Sequence, residues 1–125
     1  MMTGMINDSR EAVLTVQVQG PGGQEVQFEA IIDTGYNGTL SLPPEVIASL
    51  APPARGSRYV ILGDGSEVLL NIYRAMVIWD GLPRPVQVME TEDVSLIGMS
   101  LLYGCRVVVD GGAVTVEAGG ASSGV

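Results

Sequence analysis

A chain of 125 residues that is 46% hydrophobic fits a single globular domain, large enough to bury a core and too short for two full lobes. Its net charge is −8, with no lysine, which argues against nucleic acid and anionic membrane surfaces as partners, since both reward basic patches. It has no histidine and one cysteine, Cys105, which excludes Ser-His and Cys-His nucleophilic sites, histidine-containing and all-cysteine zinc sites, and any internal disulfide.

Along the chain, residues 1–9 read as a flexible N-terminus with neither the basic flank nor the apolar centre of a signal peptide. Leu14, Val16 and Val18 alternate with Thr15, Gln17 and Gln19, the period of a half-buried strand. The turn Gly20-Pro21-Gly22-Gly23 leads into Val26, Phe28, Ala30 and Ile32, so a hairpin delivers Asp33 at its end. Tyr36-Asn37-Gly38 is a further turn and Thr39 to Leu42 a short strand. Pro43 to Leu50 suits a short helix, with proline and glutamate in its first turn, stopped by Pro52-Pro53. Tyr59 to Leu62 and Glu67 to Leu70 flank Gly63-Asp64-Gly65-Ser66, a hairpin by its Asp-Gly centre.

Ile72 to Trp79 and Val86 to Met89 are predicted strands separated by Asp80-Gly81-Leu82-Pro83. Ser95 to Gly98 leads into a helix over Met99 to Tyr103, closed by Gly104. A last hairpin joins Arg106 to Val109 with Ala113 to Glu117 around Asp110-Gly111-Gly112, and residues 118–125 form a Gly/Ser/Ala tail. Phe28 and Trp79 are expected in the core, and Cys105 is expected there as a small hydrophobe. No apolar run reaches the roughly 18 residues of a membrane span, and a cytoplasmic setting is compatible with the lone thiol. Many short strands with Gly-rich turns and two small helices predict an all-β, closed or sandwiched domain over residues 10–117.

The chemistry concentrates at Ala30-Ile31-Ile32-Asp33-Thr34-Gly35. Aspartate is depleted in strands and rarely buried without a partner, so a carboxylate where an apolar strand turns calls for a chemical reason. Leu96-Ile97-Gly98-Met99-Ser100-Leu101-Leu102 begins 63 residues after Asp33, and the Gly63-Asp64-Gly65 hairpin lies between. Asp64-Gly65-Ser66-Glu67 lacks the alternating oxygens of a calcium loop. Asp110 also follows an apolar run, but Asp-Gly between alternating strands signals a hairpin rather than a partner for Asp33.

These three segments, in this order, resemble the retropepsin-like aspartic proteases: a hydrophobic Asp-Thr-Gly, a flap hairpin, then two hydrophobic residues and a glycine before a short helix. Tyr36-Asn37-Gly38 is similar to single-domain bacterial relatives of the retroviral members, and Tyr36 bears on the substrate pocket. The resemblance implies a closed acid-protease barrel with one lobe per chain, active as a homodimer because only one Asp-Thr-Gly is present. It implies Asp33 as the catalytic residue, with Thr34, Gly35 and Gly98 supporting the active-site loop and the dimer. Leu62, Gly63, Asp64, Gly65 and Ser66 would be the flap, and Tyr36 and Asn37 would contact a peptide or protein substrate bound as an extended strand. Neither metal nor organic cofactor is needed. The alternative is a dimeric peptide-binding or scaffold module of the same fold with little or no hydrolysis, and Asp33 is otherwise a strand-ending turn residue.

Overall fold

The computed structural model describes residues 1–50, 54–61, 63–92 and 94–119. Ten strands and two short helices follow one another: β1 (Met2–Ile6), β2 (Ala12–Gln19), β3 (Glu25–Ile32), β4 (Leu40–Leu42), α1 (Pro44–Leu50), β5 (Ala54–Ile61), β6 (Glu67–Trp79), β7 (Leu82–Glu90), β8 (Leu96–Ile97), α2 (Met99–Leu102), β9 (Arg106–Asp110) and β10 (Ala113–Glu117). The all-β expectation holds. The Pro52-Pro53 stop, Leu62 of the flap hairpin and the tail from Gly120 onward lie outside the described residues.

All the strands belong to one sheet, ordered β5-β6-β7-β4-β8-β3-β2-β1-β10-β9. A second pairing of β6 with β2, Val77 opposite Val18, folds the sheet back on itself. Strands β6, β7, β4, β8, β3 and β2 thereby form a cycle of hydrogen-bonded neighbours. Inside it the alternating residues of β2 (Leu14, Val16, Val18) meet Ala30, Leu40, Leu42, Val77, Val88, Ile97 and Leu101, all buried. Each large aliphatic side chain so buried contributes about 1.5–3 kcal/mol. Trp79 belongs to this core, with Phe28 and Cys105 packed against it at partial exposure.

The sequence reading needs correction at four places. Residues 2–6, expected as a loose end, form β1, held between β10 (Met2 opposite Val116) and β2 (Met5 opposite Val13). Backbone pairing on both edges supplies an order that composition does not reveal. The two strands expected at Glu67–Leu70 and Ile72–Trp79 are one, β6, running through Asn71, which β5 pairs at Ser57. β7 begins at Leu82, because Asp80 (φ 51) and Gly81 (φ 86) alone make the turn; both angles are positive, as a two-residue hairpin of the right twist requires. Pro83 and Pro85 are tolerated there because they face β6 at Ile78 and Met76, positions where hydrogen-bond alternation turns the proline nitrogen toward the open side. Lastly, Leu96–Ile97 is a short strand, parallel to β3 and antiparallel to β4.

Candidate active site

β8 aligns the carboxylate-bearing loop. Ile31 lies opposite Leu96 and Ile32 opposite Ile97, and the Asp33 N–H donates to the Ile97 carbonyl at 2.9 Å. The chain then turns: the Tyr36 N–H reaches back to the Asp33 carbonyl at 3.2 Å. The Gly35 N–H donates to Asp33 Oδ1 at 2.9 Å, so the carboxylate is oriented by its own loop. Asp33 is half-buried, whereas Thr34 and Gly35 are exposed.

The second motif closes over the returning chain. Gly98 N–H donates to the Thr39 carbonyl (2.9 Å), Met99 N–H to Tyr36 (2.7 Å) and Ser100 N–H to Gly38 (3.1 Å). These donors are the free N–H groups that begin α2, satisfied by the loop rather than by a capping side chain. A Cβ at Gly98 would stand 2.1 Å from the Gly38 carbonyl oxygen and 2.6 Å from Cδ2 of Tyr36. A Cβ at Gly38 would stand 2.3 Å from the Tyr36 hydroxyl oxygen. The Tyr36 ring therefore lies in a slot that two glycines leave open.

Three hydroxyl residues that sequence reasoning did not single out complete the frame. Ser100 Oγ donates to the Asn37 carbonyl at 2.5 Å, and Thr39 Oγ1 donates to the Gln87 carbonyl. Ser41, fully buried, accepts the Leu96 N–H at 2.9 Å and so joins β4 to β8. A serine inside an apolar run (Leu40-Ser41-Leu42) is the one signal that marked Ser41, since a buried hydroxyl needs a partner.

Beside the loop is a cavity of about 670 Å³, within the range of ligand sites. Gly35, Tyr36, Asn37, Gly38 and Thr39 form one wall, Tyr59 and Ile61 of β5 another, and Ile72, Gln87, Val88, Met89 and Ser100 the remainder. The end of β5 that leads into the expected flap hairpin thus shares a cavity with the loop after Asp33, whereas Asp33 itself and Gly63, Asp64, Gly65 and Ser66 do not line it. At the hairpin's tip Ser66 donates to Asp64 Oδ1 through its N–H (2.9 Å) and its hydroxyl (2.6 Å). The hydroxyl first, then the N–H, holds the Asp64 carboxyl below its usual range. Gly63, Asp64, Gly65 and Ser66 are all exposed. Asp110 stands apart from this group, closing the β9–β10 hairpin opposite Ala113. Among the described residues no three of His, Cys, Asp and Glu converge as a metal site, and no helix is long and apolar enough to cross a membrane.

Solved structures place this architecture. A retropepsin-like aspartic protease from Rickettsia conorii superposes with a TM-score of 0.63 over 92% of this chain and 87% of its own, at 16% identity. The EIAV protease in complex with an inhibitor gives 0.65 over 82% and 97%, at 15% identity. The chain has the retropepsin-like fold. The foamy viral protease-reverse transcriptase also matches, at 0.51 and 15% identity, over 72% of this chain and 11% of that much longer one. No protein-family profile matches the sequence, and no curated protein matches it.

Proposed function

We propose that this retropepsin-like chain is an aspartic endopeptidase that works as a homodimer, each copy supplying one Asp33. The observation that carries the reading is the Asp33 loop itself. Its carboxylate is held by the Gly35 N–H, Thr34 and Gly35 are exposed to receive a second copy, and a peptide-sized cavity adjoins it.

Amide hydrolysis needs two carboxyls in opposite protonation states. Two such groups brought together cannot both ionise, so they share one proton. The ionised Asp33 takes a proton from a water as it attacks the scissile carbonyl. The protonated one donates to the carbonyl oxygen, and proton transfer to the leaving nitrogen then lets the carbon–nitrogen bond break. A two-fold axis brings like residues together, so a single Asp33 per chain suffices. Thr34 would hydrogen-bond across that axis and Gly35 would keep the loop close to it. The substrate would lie as an extended strand under the hairpin around Gly63, Asp64, Gly65 and Ser66, against Tyr36 and Asn37.

The test is cleavage of an unfolded protein such as casein over about pH 4 to 7. Asp33→Asn is expected to abolish turnover while the dimer persists; undiminished cleavage by that variant rejects the mechanism. The Tyr36 ring favours a second reading. It occupies the slot beside Gly38 and Gly98 and lines the cavity, which suits a dimeric peptide-binding module with negligible hydrolysis. Peptide binding without cleavage by the unaltered chain selects that alternative.

A further inference from the structure

We propose that the cavity at the β6–β7 turn is a second binding site, one that takes a small monocarboxylate carried on an aromatic or branched apolar body. It shares no lining residue with the cavity beside the Asp33 loop, and the inference does not depend on hydrolysis there.

The site starts from an anomaly in β7. Residues directly opposite in an antiparallel pair point to the same face. Leu82 lies opposite Trp79 and Arg84 opposite Val77, and both Trp79 and Val77 are buried. The inward row of β7 therefore reads Leu82, Arg84, Val86, Val88, of which the two valines are buried in the core. A half-buried guanidinium on the inward face of a strand ordinarily has a carboxylate beside it. Arg84 has none: among the described residues it makes neither an ion pair nor a hydrogen bond. Acids are not scarce, since the chain carries 14 of them against 6 basic residues. Asp80, close by in sequence, is engaged by the Met1 ammonium and the Ala118 N–H instead.

A second unmet group lies at the same place. The Nε1–H of Trp79 is buried and meets no acceptor among the described residues, which is rare and costly for a buried donor. The cavity itself measures about 500 Å³, within the range of ligand sites. Trp79, Leu82 and Arg84 line it together with Tyr103 and Cys105, which follow α2, and Ala118, which follows β10. None of the described lining residues is acidic. Leu82 is 71% and Tyr103 84% exposed, so two large apolar side chains stand at the rim.

The occupant follows from this inventory. A guanidinium fork pairs with both oxygens of a carboxylate, and a guest that enters beside the indole supplies the missing acceptor. One cation matches one negative charge, which suits a monocarboxylate and not a phosphate. The remaining lining rewards an apolar body between Leu82 and Tyr103.

Trp79 is the only tryptophan, so its fluorescence and its one indole N–H resonance report on this cavity. Titration of the full chain with hydrocinnamate is expected to change both saturably, moving the indole proton downfield. Hydrocinnamyl alcohol, without the charge, and acetate, without the apolar body, are each expected to bind at least about tenfold more weakly. Arg84→Met keeps an apolar stem and is expected to weaken hydrocinnamate by the same factor, with circular dichroism confirming the fold. Asp33→Asn is expected to bind it as the unaltered chain does, so this site and the peptidase reading stand or fall separately. Equal affinity for the acid and the alcohol overturns the proposal, as does undiminished binding by Arg84→Met. A titration still linear at about 10 mM overturns it too, because a site of this kind should be at least half-filled by then.

Discussion

A methyl group added at Gly98 would collide with the Gly38 carbonyl, which is backbone and cannot swing aside. Gly98 itself has an extended conformation (φ −98), so the requirement is one of space and not of an unusual dihedral angle. Gly98→Ala is therefore expected to lower stability by about 1–3 kcal/mol, the usual range for overpacking, read as a shift in the urea midpoint. Gly63 meets nothing within 4 Å of an added Cβ, so Gly63→Ala should stay within about 0.5 kcal/mol. Gly98 stood out in the sequence only through the family resemblance, and its close approach to the Gly38 carbonyl is what the structure adds. The slot for Tyr36 was not legible, since it needs Gly38 and Gly98 to meet across two elements distant in sequence. The framing hydroxyls of Thr39 and Ser100 were hidden for the same reason: their acceptors are backbone groups of other segments.

Hairpins were the most readable elements. Period-two alternation gave β2 and β3, and the Asp-Gly pairs located the β5–β6, β6–β7 and β9–β10 turns. What escaped the sequence was pairing imposed from outside a segment. Asn71 is a poor strand former, yet β6 passes through it because β5 pairs it. Ile72 and Met89, opposite one another in β6 and β7, line the cavity only because that register brings them to it. The tip of the β5–β6 hairpin carries a titration of its own. The Asp64 carboxyl lies below its ordinary 3.8 because the Ser66 hydroxyl, then the Ser66 N–H, donate to it. A depressed folded value means that the turn is fully supported above the ordinary aspartate range and released as pH falls through the lowered one. The Ser66 amide resonance is expected to shift with a midpoint below 3.8 and to lose that titration in Asp64→Ala. A midpoint at the ordinary value would mean that the contact does not persist in solution.

Across the whole molecule, two segments far apart in sequence, at Met1 and Ala118, meet at one turn. Asp80 accepts from the Met1 ammonium and from the Ala118 N–H, the latter at 3.1 Å. Its carboxyl is held below the usual range by the ammonium first and then by the Ala118 amide. The stabilisation is therefore present at neutral pH and disappears as acid protonates Asp80 below its ordinary value. Asp80→Asn is expected to melt below the unaltered protein at pH 7, with the two curves converging in acid; a gap that persists there would assign the effect to something other than charge. The same meeting of distant segments bears on how the chain comes to be folded. β1 lies opposite β10 along most of its length, so it lacks its main partner until a segment roughly a hundred residues further along the chain is in place. Such long-range closure is slow and comes late. The β9–β10 hairpin is therefore expected to be the last piece of the sheet to settle, and β1 the strand left loose wherever that hairpin is displaced.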